Sequence, residues 1–417
     1  MSERTGIALT HLADFLAVGA HGVLSGNVHR LLSLETPVQS WPSQKLTGSA
    51  AEAYQEAVTN ATAAHLLDWD DVMLGVPNHP GTIIWPAILA SARPDATVRD
   101  ACHGFLEGLG VAAELSRILG TEHYASGWHA TATIGRMAAA YAAAFTRFGD
   151  AELAWTAMQL AAIGASGVTD VFGTTVKPLQ VGLAAGGAVH AALLAPGVAD
   201  MPDVLRPDTN LGRILGVRDV PERVVRGEST DPVAALRVKA YPCCFYAHAP
   251  VLAAVKLFER APGLAVGGEI VVKVSAGAAR ICTVVVPTEV DQARFSIPYL
   301  VAAAAESWPD GALGLVDGTI LTSGSVAANA RRVVVEVDDR VGEMAAVVTA
   351  DGVHVELDLG AADPAMAHQT VRAKAATLPM AFREPILACI SSSPELSNAL
   401  LDGPLSRLRT EVTPEPQ

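Results

Sequence analysis

Alanine supplies most of the apolar character in the first two hundred residues, most densely at 137–144 and 184–195, and this limits the fold more than any other feature. Small side chains let helices approach closely, and their spacing here follows a helical rhythm rather than alternation. Helical patterning is read over 6–35, from about Ala50 to Leu67, and over 83–93, 97–118, 132–147, 151–170 and 178–195, with a Pro-containing break at 37–43. Half of the 417 residues are apolar and mean hydropathy is +0.32. No uninterrupted apolar stretch reaches the ~20 residues that cross a bilayer, so the reading is of buried, closely packed helices and no membrane association. The opening Met1-Ser2-Glu3-Arg4-Thr5 precedes a helix interrupted by polar residues, unlike a signal segment.

Residues 200–232, with Pro202, Pro207, Gly212 and Pro221, read as a connector. Strand signals begin beyond it: Glu269–Ser275, Ile281–Val286, Arg331–Asp338 and Ala345–Leu359 are rich in Val with period-two alternation, and Asp351-Gly352 marks a hairpin turn. Residues 293–306 and 320–330 read as helices between them, and helix returns from about Asp363. The expected fold is mainly α with an inserted α+β domain. A large all-helical domain is formed by both chain ends, 1–236 and 363–417, around a smaller α+β domain at 237–362.

A net charge of −14 argues against a nucleic-acid partner, which needs a basic face. An anionic ligand would have to be held by a few of the 29 basic side chains. Five cysteines, with Cys243 and Cys244 adjacent, form neither a disulfide framework nor a zinc spacing, which fits a reducing cytoplasm.

Five short segments carry possible chemistry. His65-Leu66-Leu67-Asp68-Trp69-Asp70-Asp71 followed by Asn78-His79-Pro80 places three carboxylates and two imidazoles in otherwise apolar company. On a helix, Asp68 neighbours His65 and Asp71 while Asp70 points elsewhere. The plainer reading is an acidic helix end before a Pro-containing loop. His129, in Gly127-Trp128-His129-Ala130-Thr131, precedes a helix whose dipole would keep its ring neutral, either as a base or merely as a cap. Lys177-Pro178-Leu179-Gln180-Val181-Gly182 puts a lysine beside the free amides of a helix start, a natural carboxylate clamp. Lys239-Ala240-Tyr241-Pro242-Cys243-Cys244, with His248 beyond, lies at the seam of the two domains, where ligand sites are common. Its Cys pair invites a thiolate reading, but buried structural Cys is commoner. Tyr299, after Arg294-Phe295-Ser296-Ile297-Pro298, is a general acid if it faces the cleft and an ordinary packed Tyr if it does not.

In content and order these segments resemble the MmgE/PrpD family over about 47–310. That family includes 2-methylcitrate dehydratases, cis-aconitate decarboxylases and iminodisuccinate epimerases. The resemblance implies a helical domain with a smaller α+β lid, a homodimer, and no metal or organic cofactor. It also implies a cleft built from Asp68, His79, His129 and Lys177, closed by Lys239 and Tyr299, with Cys244 and His248 beside the substrate. The chemistry it implies is proton transfer at a carbon next to a carboxylate of a small-molecule substrate. Lys177 and Lys239 would then stabilise the enediolate, and His129 and His79 would be base and acid in an order the sequence leaves open. Val72 stands where the decarboxylase branch carries Thr, and Cys244 where it carries His. A lyase eliminating water is therefore the leading expectation, with an epimerase next and a decarboxylase after it.

Two readings from other classes are weaker. Asp68-x-Asp70-Asp71 suggests a magnesium-dependent prenyl-diphosphate enzyme, but no second acidic metal motif appears and only 5% of residues are aromatic. A non-catalytic ligand-binding relative is the other, and the joint presence of Asp68, His79, His129, Lys177, Lys239 and Tyr299 counts against it.

Overall fold

The computed structural model describes residues 3–32, 49–93, 96–218, 231–265, 267–307, 315, 318–360 and 364–391. The expected break at 37–43 and residues 219–230 of the connector lie outside them. In chain order the helices are α1 (Glu3–Leu24), α2 (Asn27–Leu31), α3 (Ala50–His65), α4 (Pro80–Ser91), α5 (Val98–Ala125), α6 (Ala130–Phe148), α7 (Ala151–Ile163), α8 (Val176–Leu194) and α9 (Asn210–Leu215). There follow α10 (His248–Arg260), α11 (Ala276–Ile281), α12 (Val290–Ala293), α13 (Ile297–Ser307), α14 (Gly324–Ala330), α15 (Pro364–Ala376) and α16 (Met380–Ser391). The strands are β1 (Val72–Met73), β2 (Leu236–Arg237), β3 (Ile270–Val274), β4 (Val333–Val337), β5 (Ala345–Ala350) and β6 (Val353–Asp358). The protein is thus mostly helical with a small mixed sheet.

Local chemistry sets many of the boundaries. Thr97 and Asp100 form a reciprocal capping box at the start of α5, Asp150 accepts from Glu152 and Leu153 N–H at the start of α7, and Gly149 ends α6 in the left-handed region. The interior is built on close approach. A Cβ at Gly182 of α8 would lie 2.1 Å from Thr62 Oγ1 and 2.7 Å from the Val58 carbonyl of α3. At Gly22 of α1 it would lie 2.1 Å from the Ala63 carbonyl of α3. Ala-rich α6 lies among α4, α5, α7 and α8, with Ala138–Ala140 and Ala142–Ala144 fully buried. Helices α15 and α16 return from the far end of the chain onto α1. Glu3–Leu24 and Val176–Gly197 do have the length and hydropathy of membrane spans, but 83% and 61% of their apolar windows is buried inside the protein.

The sheet has the order β4-β3-β5-β6, with β3–β4 parallel and the other pairs antiparallel. Asp351 and Gly352, both at positive φ, close the β5–β6 hairpin as expected from the sequence. Ile281–Val286 is not a strand: Ser275 caps α11 by accepting from Ala278 N–H, and that helix consumes Ile281. Val285 and Val286 are left 66% and 73% exposed, without the buried face that turns alternation into a strand. A separate ribbon pairs Val72 with Arg237 and Met73 with Leu236, joining the Asp68 segment to the Lys239 segment.

Candidate active site

The expected helix across Asp68 stops short. Helix α3 ends at His65, and Asp68 adopts φ 52, a left-handed conformation that Asp tolerates better than most residues. Helix ends leave carbonyls unpaired, and here side chains from distant segments take them and those of the following loop. Arg294 Nη1 donates to Leu66 O at 3.2 Å, and Lys239 Nζ to Asp68 O at 2.8 Å. Lys374 Nζ donates to Trp69 O at 2.7 Å, and His79 Nδ1 to Asp71 O at 2.7 Å. Lys374 also binds Asp14 of α1 at 2.6 Å, so the C-terminal return helps to shape this loop.

The turn sends the three carboxylates in different directions. Asp68 Oδ1 accepts from Lys239 Nζ at 2.6 Å and Lys177 Nζ at 2.8 Å. It does not pair with His65 or Asp71 as helical spacing suggested. Asp70 Oδ2 takes His65 Nδ1 at 2.7 Å and lies 3.5 Å from His79 Nδ1. Asp71 Oδ2 takes His11 Nδ1 at 2.6 Å, while its Oδ1 accepts the Gly81 N–H near the start of α4 at 2.8 Å. Burial opposes charge on Asp68, yet the Lys177 and Lys239 ammoniums hold its carboxyl well below the usual carboxylate range. Burial alone would depress Lys239; Asp68 and Asp70 raise it.

His79 and His129 occupy matching places, as the residues preceding α4 and α6. Burial drives both imidazoles well below 6.5, helped at His79 by Lys239 and at His129 by His65 and Lys177, so both rings are neutral. His129 Nδ1 lies 2.5 Å from Gln180 Nε2, and its buried Nε2 has no hydrogen-bond partner among the described residues. Lys177 stands over two aromatic faces, 5.0 Å from the Phe172 centroid and 5.1 Å from that of Phe295. Its ammonium makes one hydrogen bond to the described residues, leaving two N–H groups for a ligand.

One narrow cavity of about 30 Å³ is walled by Asp68, His79, His129, Lys177, Lys239 and Cys244. Its phenols are Tyr124 and Tyr246. Tyr299, 5% exposed in the first turn of α13, is not on this wall. His248 is turned away: Nδ1 bonds Cys244 O at 3.1 Å, Nε2 accepts from Tyr241 N–H at 3.3 Å, and burial lowers it to about 3. It braces the Cys243-Cys244 turn and lines a separate apolar cavity of about 290 Å³. Cys243, 3.6 Å from His248 Nδ1, is pushed up by burial, and contact with Cys282 holds the Cys244 thiol below its ordinary value.

His65, Asp68, Asp70 and His79 bring four donor atoms within 4.8 Å of one another, close enough for a metal ion. The charge balance does not ask for one, because Lys177 and Lys239 lie within 4.0 Å of these carboxylates and offset Asp68 and Asp70. A divalent ion there would face two ammoniums at close range.

Sequence reasoning had named His65 and Asp70 in the acidic segment without giving either a place in the cleft, and had not singled out Tyr124 or Gln180. Gln180 was findable, being one helical turn beyond Lys177. Tyr124 was not, because it lies beyond Gly120, where α5 leaves helical geometry at φ 66 and ψ 179.

Residues 3–201 match the MmgE/PrpD N-terminal domain, and residues 241–380 match the MmgE/PrpD C-terminal domain. Two Aspergillus terreus proteins, each named cis-aconitate decarboxylase and one from strain NIH 2624, are 29% identical to this chain over 230 residues. The matched region is 50% of this chain and 46% of those proteins, so the chain spans about half the length of the curated relatives it matches.

Proposed function

The chain belongs to the MmgE/PrpD family, and from that premise we propose that it is a lyase eliminating water from a small polycarboxylate or a carboxylated biosynthetic intermediate, without metal or organic cofactor. The observation that carries this reading is the pairing of two buried ammoniums on Asp68 with two neutral imidazoles on one cavity wall. A proton next to a carboxylate is only weakly acidic, so its removal needs a base together with fixed positive charge near the oxygens that become an enediolate. Lys177 supplies that charge, since it keeps two N–H groups free, whereas Lys239 is committed to the carbonyl and carboxylate of Asp68 and holds that turn in place.

Departure of hydroxide needs a general acid. Tyr124 is the phenol for this role in the described arrangement: burial raises it well above 10.0, so it keeps its proton, while Tyr246 is engaged with Glu343 Oε1 at 2.8 Å. A di- or tricarboxylate is larger than the enclosed space, so we take the sheet region to move as a lid while Lys239 stays anchored on Asp68. The corresponding division is 1–236 and 363–417 against 237–362, supported by the return of α15 and α16 onto α1. We place the protein in the cytoplasm as a homodimer. The dimer is supported by an exposed apolar row on α8, Val176, Leu183 and Leu194, and light scattering checks it.

Decarboxylation is the second reading, favoured by the name of the two relatives. It needs an acid for the carbanion but no base, so one of the two imidazoles would be idle. Proton NMR in D₂O with 2-methylcitrate, citrate, cis-aconitate and iminodisuccinate separates the cases. Deuterium at the α-carbon with loss of water supports the lyase, and exchange with inversion makes the enzyme an epimerase. Loss of carbon dioxide makes it a decarboxylase, and no reaction with any of them removes this reading.

A further inference from the structure

The hydrogen bonds around His129 and His79 fix which nitrogen of each ring carries the proton. Gln180 Oε1 accepts the Val168 N–H at 3.1 Å, and Gln180 Nε2 donates to the Val168 carbonyl at 3.1 Å. A backbone amide only donates and a carbonyl only accepts, so the orientation of the Gln180 amide is settled. The second Nε2 hydrogen then faces His129 Nδ1 at 2.5 Å, which must present a lone pair. A neutral His129 therefore carries its proton on Nε2. The Trp128–Val168 bridge and the His129 N–H to Gly167 O bond at 3.0 Å fix the backbone here, and the buried ring itself is flanked by the rings of His65 at 5.7 Å and Phe172 at 4.9 Å.

His79 has the opposite arrangement. Its Nδ1 lies 2.7 Å from the Asp71 carbonyl, an acceptor only, so the proton is on Nδ1 and Nε2 presents the lone pair. Asp70 Oδ2, 3.5 Å from that Nδ1, would stabilise the cation formed when Nε2 takes a proton.

We propose that Gln180 is a positioning residue that divides the labour between the two histidines, His79 acting as the base and His129 as a neutral hydrogen-bond donor to the enediolate. This rests on the proton-abstraction reading above and decides the order that the sequence left open. In the step, the substrate C–H bond breaks and its proton goes to His79 Nε2. The electron pair moves into the C–C–O system, and the new oxyanion accepts a hydrogen bond from His129 Nε2–H, which keeps its proton. A neutral imidazole suits this donor role because it adds no charge beside Lys177.

The test is ¹⁵N NMR of the full chain labelled at histidine, with His129→Gln and His79→Gln used only to assign the ring signals. The expected spectrum has His129 unprotonated at Nδ1 and protonated at Nε2, and His79 the reverse. Gln180→Leu should shift His129 to a mixture of tautomers and lower kcat about 100-fold, as loss of one oxyanion donor does, with KM changed less than about 3-fold. A wild-type His129 protonated at Nδ1, or a Gln180→Leu enzyme with unchanged tautomer and kcat, overturns the proposal. The expected tautomers together with no turnover of any substrate would instead overturn the proton-abstraction reading, and with it the catalytic half of this one. The spectrum needs no substrate, so the two failures are distinguishable.

Discussion

Replacing Lys239 with Met keeps most of the side-chain volume and removes the ammonium. In the structure that ammonium is fully buried and holds Asp68 twice, at the carboxylate (2.6 Å) and at the carbonyl (2.8 Å). The four charges of the cluster, Asp68, Asp70, Lys177 and Lys239, sum to zero, so Lys239→Met leaves one buried negative charge unbalanced. Breaking a buried pair from one side costs about 3–5 kcal/mol. The orphaned Asp68 carbonyl adds to this, although the two losses overlap. Taking about 4 kcal/mol, and roughly 2.1 cal/mol/K of unfolding entropy per residue, a chain of this size should lose about 4–5 °C in Tm. Adding Asp68→Asn restores neutrality, since Asp70 and Lys177 remain, and should recover more than half of the loss. Urea unfolding of wild type, both single variants and the double variant gives the coupling directly. A Lys239→Met protein within about 0.5 kcal/mol of wild type, or a double variant no better than the single, would refute the charge-balance argument.

Stability should fall on mild acidification. His65, His79 and His129 sit well below 6.5 and His248 near 3 because they are buried, so below pH 6.5 the unfolded chain binds protons that the folded one does not. His248 by itself removes about 3 kcal/mol by roughly pH 4.5, and the other three rings act in the same direction. Asp14, raised to about 6 by burial, acts in the opposite sense, its contribution falling as pH rises from 3.8 to 6, but it is one group against six imidazoles, since burial lowers His21 and His123 as well. A Tm that stays flat from pH 7 to pH 5 would contradict this. Gly182→Ala should cost about 1–3 kcal/mol, because its Cβ meets the α3 backbone at 2.7 Å and Thr62 at 2.1 Å. Unchanged stability in a thermal melt would mean that α3 and α8 separate freely. Treatment with EDTA should leave turnover intact, since Lys177 and Lys239 already balance the carboxylates; loss of activity restored by a divalent ion would reverse that account.

The helical part of the fold was legible because small residues at helical spacing both favour helix and allow it to be buried. Ala138–Ala140 needs no partner more specific than another small-residue helix. The failure at Ile281–Val286 has the same origin: alternation signals a strand only when one face finds a sheet, and Ser275 instead starts a helix there. In the site, the residue types were visible while their partners were not. The left-handed turn at Asp68 reassigns the cluster, giving Asp68 to two lysines, Asp70 to His65 and Asp71 to His11.

The sequence alone determined that one imidazole, His129, would stand at a helix start and that lysines would be needed among few basic residues, since these follow from local pattern and composition; that His79 also stands at a helix start came from the structure. Only the tertiary structure decided which nitrogen of each imidazole holds its proton. That depends on the direction of single hydrogen bonds, from Gln180, fifty-one positions from His129, and from the Asp71 carbonyl, eight positions from His79. Spacing in sequence constrains which groups can share a helix face; it carries no information on which lone pair meets which proton across the fold.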